Sequence, residues 1–321
     1  MTGLPLRAGA RGARLLAFGA HRPARVVAND DLAAVMDTSD AWIRERTGIV
    51  TRHLAAPDET VVTMAAAATA KALAASGVAA DEVDLVLLAT CSATRPIPGG
   101  AASVAATVGA TSAGAVDVNA ACAGFCYGLS WAADAVRSGS ARHVVVAGSE
   151  RLSTWVDPTD RATAILFGDG AGAAVVGPAD VNAVGPVVWG SDGTRAAAIQ
   201  VPDDGDTLRM DGPGVYRWAT TELAAVAREA CAAAGLAPAD VATFVPHQAN
   251  LRIVDSLARQ LGVDPARVAR DGVDTGNTSA ASVPLAVARL VEEGRVAPGD
   301  PLLLLAFGAG LTYAAQVVLA P

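Results

Sequence analysis

The stretch Asp117–Gly148, DVNAACAGFCYGLSWAADAVRSGSARHVVVAG, and the stretch Gly272–Gly308, GVDTGNTSAASVPLAVARLVEEGRVAPGDPLLLLAFG, read as one unit written twice. Each runs from a short strand through a turn into a helix, and then into an apolar strand. Setting Cys122 over Asn277 also brings Val136 over Val291 and Gly139 over Gly294, with no gap. Small and apolar residues cover the intervening helix almost all round, which predicts a buried helix.

Two further pairs lie outward from this unit. Asp81–Thr90 (DEVDLVLLAT) matches Asp240–His247 (DVATFVPH), and Phe167–Gly170 matches Phe307–Gly310, each of the latter two leading into an apolar strand. Matches in the same order in both halves imply an internal duplication. The reading is an α/β chain of two lobes, residues 1–180 and 181–321, with the junction near Gly177–Gly185. Alternating strands and helices predict parallel-rich sheets with helices on their faces. The helices that begin at Cys122 and Asn277 would then pack between the two sheets. Related by a pseudo-twofold axis, Cys122 and Asn277 would occupy equivalent helix starts facing one another. His247, closing a strand of the second lobe, would point into the same space.

Composition narrows the classes of function. The 321 residues are 52% hydrophobic and 17% charged, enough to bury a sizeable core. Lys71 is the only lysine, so the positive charge is nearly all arginine. A net charge of −8 and a pI near 5.0 argue against a nucleic-acid partner, which asks for a basic face. Met1–Arg7 lacks the charged and apolar regions of a signal peptide, and apolar runs such as Leu302–Phe307 are too short to cross a bilayer. A cytoplasmic protein with no membrane partner is expected. The four cysteines, Cys91, Cys122, Cys126 and Cys231, form no disulfide framework and have no metal-ligand spacing, so no metal is expected.

Cys122 follows strand-like Ala115–Asn119 and opens a helix, where free N–H groups should lower the thiol pKa. Such a turn also lends the nucleophile its own N–H as an oxyanion donor. A buried structural cysteine is the competing reading. His247 stands directly after an apolar strand, where α/β folds gather catalytic groups, and a hydrogen-bonded structural histidine is the competing reading. Asn277 is either a functional donor or an ordinary helix cap. Cys91, Cys126 and Cys231 are assigned to the core, and His21, His53 and His143 to exposed surroundings. Gly168–Gly172 (GDGAG) has no following lysine and reads as a turn, not a phosphate loop.

The runs DVNAACAGF (Asp117–Phe125), PHQANLRI (Pro246–Ile253), GNTSAASVP (Gly276–Pro284), FGAGLT (Phe307–Thr312) and DTSDAWIRERTGI (Asp37–Ile49) resemble the motifs of ketoacyl-carrier-protein synthase III. The likeness extends from about residue 12 to the C-terminus. It implies the thiolase fold, a duplicated five-layer αβαβα arrangement, and a Cys122–His247–Asn277 triad. Cys122 would take an acyl group from acyl-CoA. His247 and Asn277 would donate to the thioester oxygen of a malonyl unit on acyl carrier protein, stabilising the enolate left by decarboxylation. The backbone N–H groups of Cys122 and Ala309 would form the oxyanion hole for the attacked acyl group.

By the same resemblance Trp42 would stack on the CoA adenine, Arg46 and Arg161 would lie near its phosphates, and Asn250 would touch the pantetheine arm. Arg252 and Arg259, seven apart on one helix, share a face and would dock the acidic carrier protein. Ile97 replaces a residue that is often a bulky Phe in acetyl-specific members, so a starter larger than acetyl is expected. Ile97 would reach across a homodimer interface to the acyl pocket, with Trp155 nearby. No cofactor is implied beyond the two substrates. Three competing readings are an acyl-transferring priming enzyme that does not decarboxylate, a non-catalytic partner subunit, and a Rossmann dehydrogenase. Asn277, Cys122 and the lack of an N-terminal strand–GxGxxG–helix unit speak against them in turn.

Overall fold

Runs rich in Val, Leu and Ala become strands, most of them buried on both faces, although the edge strands Gly114–Val118 and Val188–Ser191 are largely exposed. In the first half these are β1 (Gly12–His21), β2 (Leu85–Ala89), β3 (Gly114–Val118), β4 (Val144–Arg151) and β5 (Asp169–Ala179). They pair in the order β1-β5-β4-β2-β3. In the second half β6 (Val188–Ser191), β7 (Thr243–Pro246), β8 (Pro301–Gly308) and β9 (Thr312–Leu319) pair in the order β6-β9-β8-β7. Val268 adds a parallel bridge to Phe244 of β7, in the place that β3 holds in the first sheet. The two sheets thus repeat one strand order. This computed structural model describes residues 8–203 and 205–321; Met1–Arg7, on which the signal-peptide reading falls, lie outside the described residues.

The expectation of parallel-rich sheets is corrected. β2 runs parallel to β3 and β4, and β7 to β8, but β5 is antiparallel to β1 and β4, and β9 to β8 and β6. For β8 and β9 the cause is loop length. β8 turns straight back into β9 through Ala309–Leu311, with Gly308 opposite Thr312, leaving no room for the crossover helix a parallel pair requires.

Seven helices matter for the site: α1 (Asp40–Thr47), α2 (Val61–Ser76), α3 (Gly100–Val108), α4 (Gly124–Arg137), α5 (Gly212–Ala233), α6 (Leu251–Leu261) and α7 (Ser282–Glu292). α2 and α3 cover the outer face of the first sheet through Met64, Leu73, Val104 and Ala105. α5 and α6 cover the outer face of the second through Trp218, Leu223, Val254 and Leu257. Between the sheets, Phe125 and Leu129 of α4 and Leu285 and Val287 of α7 pack with Val144, Val146, Leu302 and Leu304. The result is a five-layer αβαβα stack, and the two central helices are buried as their sequences foretell.

The pairing of Cys122 with Asn277 holds at one end of these helices only. Gly139 and Gly294, with φ of 75° and 63°, end them alike. At their starts Ala121 and Ser279 share a left-handed backbone, φ 46° and 47°, each opening a short 3-10 turn, Ala121–Ala123 and Ser279–Ala281. α4 has 14 residues and α7 has 11, so the structural partner of Ala121 is Ser279. Asn277 therefore lies just before the turn, not at a position equivalent to Cys122.

Candidate active site

Three chain ends meet in one cavity of about 540 Å³: the turn that carries Cys122, the end of β7 at His247, and the segment at Asn277. Leu152, Ile165, Leu208, Met210, Ile253 and Phe307 supply its apolar walls, and Trp42, Arg46, Arg161 and Arg252 also line it.

Ala309 and Ser279 line the cavity together with the Cys122 thiol. β8 ends at Gly308 directly against it. A Cβ there would lie 2.8 Å from both Cβ and Sγ of Cys122 and 3.0 Å from its N, closer than packed carbons come. Gly308→Ala should therefore push the nucleophile out of line. Acylation of Cys122 should fall by at least tenfold in stopped-time mass spectrometry, and a wild-type rate would refute the need for glycine at this contact.

Burial pushes the Cys122 thiol up to about 12; the Ser279 hydroxyl and the two backbone N–H groups pull the other way, while the charge of Glu150 adds to the rise. The expectation that the helix start favours the thiolate is thereby corrected. Removal from water outweighs a partial dipole whose first turn is a 3-10 turn.

His247 is 1% exposed. Its Nδ1 lies 2.6 Å from Ser282 Oγ, and its ring packs edge-on against Phe307 with centroids 5.2 Å apart. Burial lowers its pKa to about 3, so the imidazole stays neutral. With Nδ1 held by Ser282, Nε2 has no hydrogen-bond partner among the described residues. Asn277 is fixed in the same fashion. Its backbone bonds to Leu166 O and Gly168 N, and its Oδ1 accepts from Ser279 N–H at 2.9 Å. That leaves the amide Nδ2–H₂ as its unspent donor. One short segment, residues 277–282, thus orients both side chains.

At the other end of the cavity α1 carries Trp42 and Arg46. The guanidinium of Arg46 sits 4.5 Å from the centre of the Trp42 ring and that of Arg161 4.7 Å from it. Asn250 caps α6: its Oδ1 accepts from Arg252 N–H at 2.9 Å and its Nδ2 donates to Arg46 O at 3.1 Å. Arg252 lies over Tyr216 at 5.4 Å. Arg259 is exposed on the same helix but borders a separate hollow with Asp255, Arg267 and Arg270.

Ile97 and Trp155 are not brought to the cavity. Ile97 is 85% exposed, and the wall beyond Leu152 is built from Ile199, Leu208 and Met210 instead of Trp155. Cys126 and Cys231 are core residues as expected, but Cys91 lines the cavity, with its thiol 3.6 Å from Ser279 Oγ. The other histidines are less exposed than expected. His143 is buried, His21 pairs with Glu59 at 2.8 Å, and His53 Nδ1 sits 2.6 Å from Pro23 O. Gly168–Gly172 is not the turn expected of it: Asp169–Gly172 are the first residues of β5, paired with β4, and Asp169 spends its carboxylate on Ala55 N–H and on Ser153. Among the described residues no group of three His, Cys, Asp or Glu could hold a metal. No helix of the described residues is long and apolar enough to cross a membrane.

Sequence reasoning missed Ser279, Ser282 and Glu150. The two serines lie inside the quoted GNTSAASVP run. Glu150, buried at the end of apolar β4, could have been found as a carboxylate with no reason to be there.

Sequence models of the family 3-oxoacyl-[acyl-carrier-protein (ACP)] synthase III match residues 116–193, and those of its C-terminal part match residues 231–319. A β-ketoacyl-[acyl-carrier-protein] synthase III of Streptomyces avermitilis is 50% identical over 97% of this chain and 99% of its own. One of Streptomyces coelicolor is 50% identical over the same shares. Among solved structures, a priming β-ketosynthase of a polyketide biosynthetic pathway superposes with a TM-score of 0.96 at 47% identity, over 100% of this chain and 99% of its own. The 3-oxoacyl-[acyl-carrier-protein] synthase III of Aquifex aeolicus gives 0.93 at 38% identity, over 96% of this chain and 100% of its own. Identity at this level along the whole chain, on the same five-layer stack, shows that the chain has the thiolase fold and belongs to the 3-oxoacyl-[acyl-carrier-protein] synthase III family.

Proposed function

We propose that the chain carries an acyl group from acyl-CoA on Cys122 and condenses it with malonyl-acyl carrier protein, releasing carbon dioxide, to start a fatty-acid or polyketide chain. The observation that carries this reading is the pair of separate donor sets in one cavity. The backbone N–H groups of Cys122 and Ala309, beside Gly308 where it packs against Cys122, would form the first set, while His247 and Asn277 are each tied at one polar atom and free at another. The first set receives the oxyanion formed when Cys122 or a carbon nucleophile adds to a thioester. The second receives the thioester oxygen of the malonyl unit, which turns into an enolate as carbon dioxide departs. A neutral imidazole suits that role. With the Ser282 hydroxyl donating to Nδ1, the ring proton sits on Nε2 and faces the substrate.

Trp42, Arg46 and Arg161 would hold the CoA nucleotide, the arginines turning from the indole to the phosphates as the adenine stacks. Asn250, whose amide is engaged in capping, would contribute mainly by setting the α6 entrance beside the pantetheine arm. Ala309 supplies a backbone donor only. Ile97, far out on the surface, would complete the acyl pocket of a second copy in a homodimer and admit a starter larger than acetyl. No cofactor enters this chemistry. The two lobes would divide near residue 180, and the enzyme would work in the cytoplasm.

Arg252 and Arg259 would receive the acidic carrier protein. Arg252→Glu should slow discharge of the acyl-enzyme by malonyl-carrier protein by roughly tenfold, about 1.4 kcal/mol. Acylation by acyl-CoA should change far less, and equal loss in both half-reactions would remove Arg252 from the docking surface. The reading as a whole is tested by intact-protein mass after an acyl-CoA series and then malonyl-carrier protein. Acylation followed by discharge to a ketoacyl product supports condensation. Acylation with no decarboxylated product supports simple acyl transfer, and strict acetyl preference would refute the enlarged pocket.

A further inference from the structure

Each lobe presses a strand end onto the short turn of the other. β8 of the second lobe meets the turn of the first at Gly308, which packs against Cys122, the residue after left-handed Ala121. β4 of the first lobe meets the turn of the second in the same way. A Cβ on Gly148 would lie 2.4 Å from Ala280 O and 2.8 Å from its carbonyl carbon, and Ala280 is the residue after left-handed Ser279. Gly148 thus takes the place of Gly308, and Ala280 the place of Cys122. Beyond these glycines the two halves differ. Two residues after Gly308 stands Gly310, whereas two residues after Gly148 stands Glu150.

Glu150 is 0% exposed and bridges the lobes. Its Oε2 accepts from Thr90 Oγ1 at 3.1 Å and from Ser92 Oγ, both in its own lobe. Its Oε1 accepts from Ser279 Oγ at 2.9 Å and from Ala280 N–H at 3.4 Å, both in the other. Cys91 adds its N–H at 3.2 Å and its thiol at 3.3 Å. None of these donors is a cation. Burying a carboxylate on such terms opposes folding, and what the side chain imposes in return is geometry.

The geometry it imposes reaches the active site. Ser279 keeps a left-handed φ of 47°, a conformation that persists in an L-residue only where the surroundings over-determine it. The bonds from Ser279 Oγ and Ala280 N–H to Glu150 do so. From that fixed turn Ser279 N–H donates to Asn277 Oδ1 at 2.9 Å, leaving the amide Nδ2–H₂ as the free donor.

We propose that Glu150 is a positioning residue for decarboxylation: by accepting from Ser279 and Ala280 across the lobe boundary, it holds the turn that aims the Asn277 amide at the malonyl thioester oxygen. The proposal rests on the condensing function proposed above. Glu150 touches no substrate and acts through Ser279. The Cys122 turn is braced by Gly308 instead, so acylation should depend on Glu150 far less than decarboxylation does.

Acylation by acyl-CoA, read by intact mass, and carbon dioxide release from malonyl-carrier protein test this role in wild type, Glu150→Ala, Glu150→Gln and Ser279→Ala. Glu150→Ala should lower kcat of decarboxylation by roughly 10²-fold, the effect of a group displaced by about 1 Å, with KM for malonyl-carrier protein little changed. Acylation should stay near the wild-type rate. Glu150→Gln can turn its carbonyl oxygen to Ser279 and Ala280 and its amide to the Thr90 and Ser92 hydroxyls, which accept as well as donate. It should recover most of the lost rate. Ser279→Ala removes only the 2.9 Å bond to Glu150 and keeps the N–H that holds Asn277. It should show the same selective loss, smaller in size, and it carries the test if Glu150→Ala does not fold. Equal loss in both half-reactions, an unchanged decarboxylation rate, or a Glu150→Gln variant as slow as Glu150→Ala overturns the proposal. Wild-type protein that releases no carbon dioxide from malonyl-carrier protein overturns the condensing function itself, a result distinct from a Glu150 that does not position Asn277.

Discussion

Cys122→Ala should yield no acyl-enzyme with any acyl-CoA and should lower condensation by on the order of 10³-fold or more, while decarboxylation of malonyl-carrier protein persists. The first loss follows from removing the atom that bonds the acyl carbon, for which the cavity holds no adequate substitute. Cys91, the other thiol of the cavity, hydrogen-bonds to the buried Glu150 carboxylate, and burial and that charge push its pKa well above the usual thiol value. The persistence of decarboxylation follows from geometry. His247 is set by Ser282 and Asn277 by Ser279 N–H, and neither of those contacts involves the thiol. Intact mass and trapped carbon dioxide from one sample separate the two activities. An acyl adduct on the variant would remove Cys122 as the nucleophile, and loss of both activities would join the two donor sets into one inseparable site.

The positions of these side chains were legible because the sequence breaks its apolar runs at them. Cys122 follows an edge strand and His247 a fully buried one, and Asn277 precedes a helix with almost no exposed face. The strand order repeated in the two sheets was legible for the same reason, since the matched runs are the strands themselves. What was not legible depended on distance along the chain or on solvent. The antiparallel return of β8 into β9 is decided by three residues of turn, which periodicity does not weigh. The offset between Cys122 and Asn277 arises because α7 is three residues shorter than α4, a difference absorbed where no apolar pattern marks it. The thiol pKa was misjudged because a helix start is visible in sequence whereas burial is not. Glu150 was missed because its partners Thr90, Ser92 and Ser279 lie 60, 58 and 129 residues away. Ile97 and Trp155, placed at the pocket by resemblance alone, lie off the cavity wall of the single chain.

Asn277→Asp and Asn277→Ala should both lose decarboxylation by roughly 10²–10³-fold, the usual effect of one oxyanion donor worth about 2.7–4 kcal/mol. Both should still accept an acyl group on Cys122. The pair is informative because the Asn277 side chain does two things. Its Oδ1 accepts from the buried Ser279 N–H at 2.9 Å, and its Nδ2 faces the substrate. Alanine removes both functions and orphans a buried N–H, at a cost of about 1–3 kcal/mol in stability. Aspartate matches the shape and keeps the acceptor, so Ser279 and its left-handed turn remain supported. It exchanges only the donor for a second acceptor, beside an oxygen that becomes negative in the transition state. If Asn277 served only to brace the turn, aspartate would retain decarboxylation and alanine would lose it. If the amide proton is what the enolate needs, the two variants fail alike in decarboxylation and differ in thermal stability. The rate of carbon dioxide release from malonyl-carrier protein, read together with Tm for both, decides between bracing and donation.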